Sequence, residues 1–307
     1  MSVVDIEQLR LRSRATYASV AVSAVLILIK FAAWIMTGSV AMLSSLVDSL
    51  LDAVAAAVNL FAVRHATEPP DREHRFGHGK AEPLAALGQA AFLAGGALLL
   101  VFEAVSRIIS PAPITRVGLG IIVLVASMVL DGLLVLYQRY VVARTGSLAI
   151  GADELHFRSD MVINACVLGA LAIDQFVDMP VLDPLIGGGI GLWIIVSSVQ
   201  LLRLSMTQLM DREMPDADRT RIRRIAESAK EVAAVHDLRT RMAGPTSFIQ
   251  LHLEMDGAMN LQRAHEIADS VEAELRLAFP NAEIIIHQDP AGLEAPHQVF
   301  APRAQAR

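Results

Sequence analysis

Apolar residues fill the chain from about residue 15 to 208 and fall into six runs. Each is near the roughly 20 residues that a helix needs to cross a bilayer. The runs cover about 15–37, 39–64, 82–107, 115–140, 148–174 and 181–208, so the pattern predicts six transmembrane helices. Short polar links part them: TGS, ATEPPDREHRFGHGKAEP, SPAPITR, VARTGS and FVDMPVLD. From Asp211 the periodicity changes. PDADRTRIRRIAESAKEV has helical spacing, VAAVHDLRTRMAG and TSFIQLHLEMD alternate as two strands about a Gly-Pro turn, LQRAHEIADSVEAELRLAFP is an amphipathic helix, and AEIIIHQD is a last strand. The order αββαβ predicts a small α+β domain, ferredoxin- or metallochaperone-like, with helices on one face of a sheet. The expected organisation is a six-helix transmembrane domain over 1–210, an αββαβ domain over 211–290 and a loose tail over 291–307.

Composition agrees with this division. The 307 residues are 54% hydrophobic and the mean hydropathy is +0.47, which points to a polytopic membrane protein. The net charge of −6 averages two unlike parts and gives no support to a nucleic-acid partner. The single cysteine, Cys166, excludes an intrachain disulfide framework. Arg10, Arg12 and Arg14 precede an apolar run too long for a signal-peptide core, so no cleavable signal is expected. Basic residues gather at the N-terminus, in the second link (Arg64, Arg72, Arg75, Lys80), in the fourth (Arg139, Arg144) and after the sixth run (Arg203). The positive-inside rule then puts both termini in the cytoplasm.

Two spans carry charges that a bilayer penalises. Asp48 and Asp52 stand four residues apart, hence on one helix face. His156 and Asp160 repeat that spacing in the fifth span. A single carboxylate in a bilayer interior costs roughly 3 kcal/mol on insertion scales. Each pair alone is also compatible with snorkelling or with a basic partner. Two pairs at one spacing favour a shared role: three carboxylates and an imidazole suit a tetrahedral divalent cation, zinc included. Binding needs deprotonated ligands, so the ion displaces protons, and His156 is the natural proton carrier because imidazoles ordinarily titrate near neutral pH.

The motifs LVDSLLD, LHFRSD, HRFGHGKAEPLAAL, HDLRTR, IQLHLEM and IIIHQDP, in that order, resemble the cation diffusion facilitator family of metal/proton antiporters, and within it the bacterial zinc and ferrous-iron efflux branch. The resemblance runs from about residue 10 to 290. It implies a transport site at Asp48, Asp52, His156 and Asp160, a second site in the loop at Asp71, His74 and His78, and a binuclear zinc site in a homodimer's cytoplasmic domains at His236, His252, His265, His287, Gln288 and Asp289. A carboxylate such as Asp289 can bridge two ions. The implied activity is not enzymatic: secondary active efflux of Zn²⁺, with Fe²⁺ or Cd²⁺ as alternatives, in exchange for protons across a bacterial inner membrane. Zinc is thus both substrate and structural or regulatory ion, and the proton is the counter-substrate. Co²⁺ and Ni²⁺ stay open as cargo. A metal sensor and an intramembrane metalloenzyme are competing classes, but a sensor needs no mid-membrane carboxylates and the chain has no H-E-x-x-H.

Three smaller expectations remain. Lys80 and Asp211, at the ends of the third and sixth spans, form either the family's interlock near the dimer axis or an ordinary surface pair. Asp131 lies mid-span four and Arg158 about 200° round the helix from His156. Neither suits a lone buried charge, so the two are expected to pair. Leu155, beside His156, is either a hydrophobic gate or a plain core or lipid-facing leucine. Ala85, Gly88 and Gly95 offer span three a small-residue face for close packing.

Overall fold

The computed structural model describes residues 3–38, 40–109, 118–174, 182–244 and 246–292. The third link, most of the fifth and the tail beyond residue 292 lie outside them. The described chain separates into a helical unit, Val3–Met210, and a smaller unit from Asp211 onward. Asp211 itself adopts a left-handed backbone (φ 53°), a conformation that aspartate tolerates better than most residues.

The helical unit holds α1 (Val3–Thr37), α2 (Val40–Ala66), α3 (Ala81–Ile109), α4 (Gly118–Thr145), α5 (Leu148–Asp174) and α6 (Leu182–Leu209). Two ends use the same device. Gly38 (φ 61°) donates its N–H to the Trp34 carbonyl, and Gly146 (φ 62°) to that of Val142. Only glycine takes that turn freely, which is why α1 and α4 stop there. The fourth link is therefore shorter than VARTGS, because the helix runs on through Thr145. Five helices are apolar and long enough to cross a membrane. The sixth, α5, carries Asp153, Glu154, His156, Arg158 and Asp160, and its segment 152–157 is buried. Large side chains such as Leu28, Phe61, Leu99 and Phe102 point outward instead. Apolar outside with polar groups inside is the arrangement that lipid requires.

Helices α3 and α6 approach closely at Gly191, where an added Cβ would lie 2.6 Å from Val101 Cγ2 and 3.2 Å from the Ala97 carbonyl. The small-residue contact is thus on the Ala97 face of α3. Gly88 and Gly95, of the small-residue face noted in span three, face open space within the chain. Two buried polar groups tie other helices. Arg12 bonds Glu82 (2.8 Å) and the Thr145 carbonyl (2.6 Å), and Ser147 donates to the same Glu82 (2.8 Å). Asp153 accepts from Ser19 (2.5 Å), Gln138 (2.6 Å) and Gln89 (3.4 Å). Buried carboxylates persist only when so partnered.

The smaller unit holds α7 (Asp216–Glu227), β1 (Ala234–Ala243), β2 (Thr246–Met255), α8 (Leu261–Ala278) and β3 (Ala282–Pro290). The central strand is β2, antiparallel to β1 and parallel to β3. Asn260 caps α8 by accepting the N–H of Arg263. Ile249, Leu251 and Leu253 of β2 pack with Ile222 of α7 and Val271 and Leu275 of α8, so both helices cover one sheet face. A bulge between His236 and Arg239, with Asp237 at φ 44°, shifts the β1 register.

Gly191→Ala should loosen the α3–α6 contact by about 1–3 kcal/mol and lower the thermal midpoint of the detergent-solubilised chain. Gly95→Ala, with nothing within 4 Å, should not lower that midpoint, because alanine is the better helix former. Equal midpoints for the two variants would contradict the contact.

Candidate metal centres

The first cluster lies between α2 and α5. Asn59 of α2 donates to the Ala149 carbonyl (3.1 Å), which holds the two helices side by side. Two turns further along, His156 Nε2 stands 2.9 Å from Asp52 Oδ1 and 3.6 Å from Asp160 Oδ2. One donor atom from each of Asp52, His156 and Asp160 lies within 4.8 Å of the others. His156 is 4% exposed, its ring is edge-on to Phe157, and its Nδ1 has no hydrogen-bond partner. Asp48 is not in the tight group but lines the same cavity of about 390 Å³. The structure therefore brings three of the four expected residues into contact distance and holds the fourth on the cavity wall.

Two further charged residues line that cavity: Lys30, whose ammonium bonds Ser49 at 2.6 Å, and Asp131. This corrects the expected Asp131–Arg158 pair. Arg158 reaches back one turn to Glu154 (3.5 Å) and lies over the Trp193 ring (5.3 Å). Glu154 also accepts from Arg139 at 3.0 Å. An i,i+4 acid on its own helix and an aromatic face on α6 satisfy Arg158 locally. Asp131 instead turns, 3% exposed and with one oxygen unpartnered, into the cavity of the other acids. Leu155 is buried against Ala86, Ala90 and Leu93 of α3 and Ile194 of α6.

The second cluster is the turn between α2 and α3. Gly77 (φ 77°) donates its N–H to the His74 carbonyl (2.9 Å) and folds the link back on itself. His78 Nε2 then lies 3.3 Å from Asp71 and 3.2 Å from His74 Nδ1, while His74 Nδ1 is 3.6 Å from Asp71. The backbone N–H of His74 (2.6 Å) donates to Asp71 Oδ1, as does that of Glu73 (2.8 Å). These bonds, that of His74 first, hold the Asp71 carboxyl below its ordinary range. Lys80, a little further on, donates to the Leu209 carbonyl (3.4 Å).

The third cluster lies on the sheet of the smaller unit. His236, His252 and His287 are in register across β1, β2 and β3. Because side chains alternate along a strand, His252 faces away from Leu251 and Leu253, and so away from the core. Asp289, 5% exposed, divides its oxygens: Oδ2 lies 2.7 Å from His252 and 3.4 Å from His236, Oδ1 3.0 Å from His287. Two acids not foreseen from the sequence join here. Glu254 is 3.2 Å from His236, and Asp237, swung inward by the bulge, is 3.8 Å from His252. His265, on α8, lies apart and pairs with Asp269 at 3.5 Å. Alternation gives Gln288 to the opposite face from His287. Asp211, at the start of this unit, faces Arg241 at 3.4 Å.

Comparison with known proteins agrees with both units. A family described as the cation efflux transmembrane domain matches residues 16–210, and one described as the cation efflux protein cytoplasmic domain matches 214–291. The cation-efflux pump FieF of Escherichia fergusonii is 45% identical over 284 residues, covering 92% of this chain and 94% of that protein. FieF of Escherichia coli (strain K12 / DH10B) is 44% identical over the same shares. Among solved structures, the metal-bound C-terminal domain of the CzcD transporter from Thermotoga maritima is 28% identical, covering 26% of this chain and all of that one, with a TM-score of 0.25.

Asp289→Ala should weaken zinc binding to the smaller unit by more than about tenfold, or 1.4 kcal/mol, because the oxygens that reach all three imidazoles are lost. Competition with a chelating dye reads this directly. Unchanged affinity would show that the imidazoles hold zinc without the acid.

Proposed function

The chain belongs to the cation efflux, or cation diffusion facilitator, family, and we propose that it exports divalent metal cations from the cytoplasm in exchange for protons. Zinc is the leading cargo, with Fe²⁺ or Cd²⁺ as alternatives. The observation that carries this reading is the meeting of His156, Asp52 and Asp160 across two membrane-spanning helices. With Asp48 in the same cavity, the four side chains offer one nitrogen and three carboxylates to an ion. The cation and the protons compete for the same lone pairs, since bound metal requires neutral imidazole and ionised carboxylates. Rocking of helices about this site would expose it to either side in turn, as in other secondary transporters. Asp131 and Lys30 set the cavity's charge without belonging to the ligand set.

The sheet cluster supports a binuclear site, because Asp289 presents one oxygen to two imidazoles and the other to the third. His265 and Gln288, which stand apart from it within one protomer, are assigned to completing it across a homodimer. Zinc there would clamp the dimer and bias the transporter. The cluster of Asp71, His74 and His78 is assigned to a second ion. Lys80 and Asp211 are kept as the interlock near the dimer axis. The protein is placed in the bacterial inner membrane with both termini in the cytoplasm.

Two measurements test this. His156→Ala should abolish zinc uptake into proteoliposomes driven by an imposed pH gradient, and transport at the wild-type rate would refute the assignment. Metal bound at the turn should be released on acidification, because protons and the ion compete for the same ligand atoms. Asp71, held below the usual carboxylate range, keeps its charge to lower pH than an ordinary carboxylate. A release midpoint unmoved by His74→Ala would contradict the role of the turn's histidines.

A further inference from the structure

The last turn of α2 carries a histidine outside the three centres. His65 precedes the helix end at Ala66, and the chain then folds back: Thr67 N–H bonds the Arg64 carbonyl (3.2 Å) and Glu68 N–H the His65 carbonyl (3.1 Å). This brings Glu68 Oε2 to 2.8 Å from His65 Nδ1. On the other side the His65 ring lies 4.3 Å, centroid to centroid, from that of His78. One donor atom from each of His65, Glu68 and His78 falls within 4.8 Å of the others. Zinc–ligand lengths near 2.1 Å set donor separations of about 3.4 Å in a tetrahedron, so modest side-chain rotation closes the group on an ion.

A plain surface reading covers only part of this. An exposed His–Glu pair three residues apart contributes little and is common. It does not account for His78, which is 8% exposed and whose Nδ1 is buried without a hydrogen-bond partner. Its Nε2 already faces Asp71 and His74. A buried polar atom left unpaired costs free energy and calls for a partner. The adjoining histidine and glutamate are the donor types that would draw an ion to that place.

We propose a further divalent-cation site formed by His65, Glu68 and His78, adjoining the turn site and sharing His78 with it. Two imidazoles and one carboxylate suit borderline ions such as Zn²⁺, Co²⁺ or Fe²⁺. Three protein ligands leave a position for water, so the ion exchanges readily, unlike one in a closed structural site. The proposal rests on the reading of the turn site only through the common histidine.

The test counts zinc bound per full-length chain by equilibrium dialysis and elemental analysis in detergent. Four proteins are compared: wild type, Asp71→Ala/His74→Ala, His65→Ala/Glu68→Gln, and the quadruple variant. The substituted side chains are all at least a third exposed, between 37% and 58%, so none threatens the fold. The Asp71→Ala/His74→Ala chain should bind one more zinc ion than the quadruple variant. Equal counts for those two overturn the proposal. Equal counts for His65→Ala/Glu68→Gln and the quadruple variant would instead overturn the reading of Asp71 and His74, so the two failures are distinguishable.

Discussion

The contact between His156 and Asp52 is the point on which the helical unit turns. Lipid cannot solvate either group, so α5, which carries five ionisable side chains in eight residues, has to be enclosed by the other helices. The five apolar helices supply that enclosure. Their outward leucines and phenylalanines and their inward serines, glutamines and acids are two consequences of one constraint. The small residues at the α3–α6 contact serve it too, since Gly191 lets α6 approach α3 closely enough to shut the bundle beside α5.

Within the enclosure, some charged groups are bonded to other protein groups and others open onto a cavity. Arg12 and Glu82 are locked to each other and to the Thr145 and Ser147 region. Asp153 accepts from three neutral side chains. These groups hold helices in place and have little left to offer a ligand. Asp48, Asp52, Asp131, His156 and Asp160 instead share a cavity of about 390 Å³ with a lysine. Several carboxylates at close quarters repel one another when all are ionised, so the cavity favours states in which a cation or protons are present. The open positions are therefore the ones that can do work.

Much of this was legible in the residue pattern, and the gaps have physical reasons. Four-residue spacing fixes a shared helix face, so the Asp48–Asp52 and His156–Asp160 pairs were readable before any fold was known. Helical angle also turned Arg158 away from His156, but it does not say which neighbour stands there. Glu154, one turn back on the same helix, and Trp193 on α6 proved nearer partners than Asp131. Strand alternation put His252 opposite the core, whereas the β1 bulge that swings Asp237 toward the histidines leaves no periodic trace. His65, at the end of α2, and Glu68, in the polar link, were unremarkable until the turn carried His78 over them.

The clusters differ in donor set, and the difference suits different tasks. The sheet centre has three imidazoles with one buried carboxylate, and nitrogen-rich sites hold borderline ions tightly. The α2–α5 cavity has one imidazole among carboxylates, harder donors that hold zinc less firmly and can accept protons instead. A transporter needs that weakness: an ion held among its helices as tightly as a structural one would not leave. The turn lies between these extremes, with one histidine placed between two different sets of partners. On the proposed function, grading affinity by the ratio of nitrogen to carboxylate donors would let one chemistry, that of His with Asp or Glu, retain an ion on the sheet and release one among the helices.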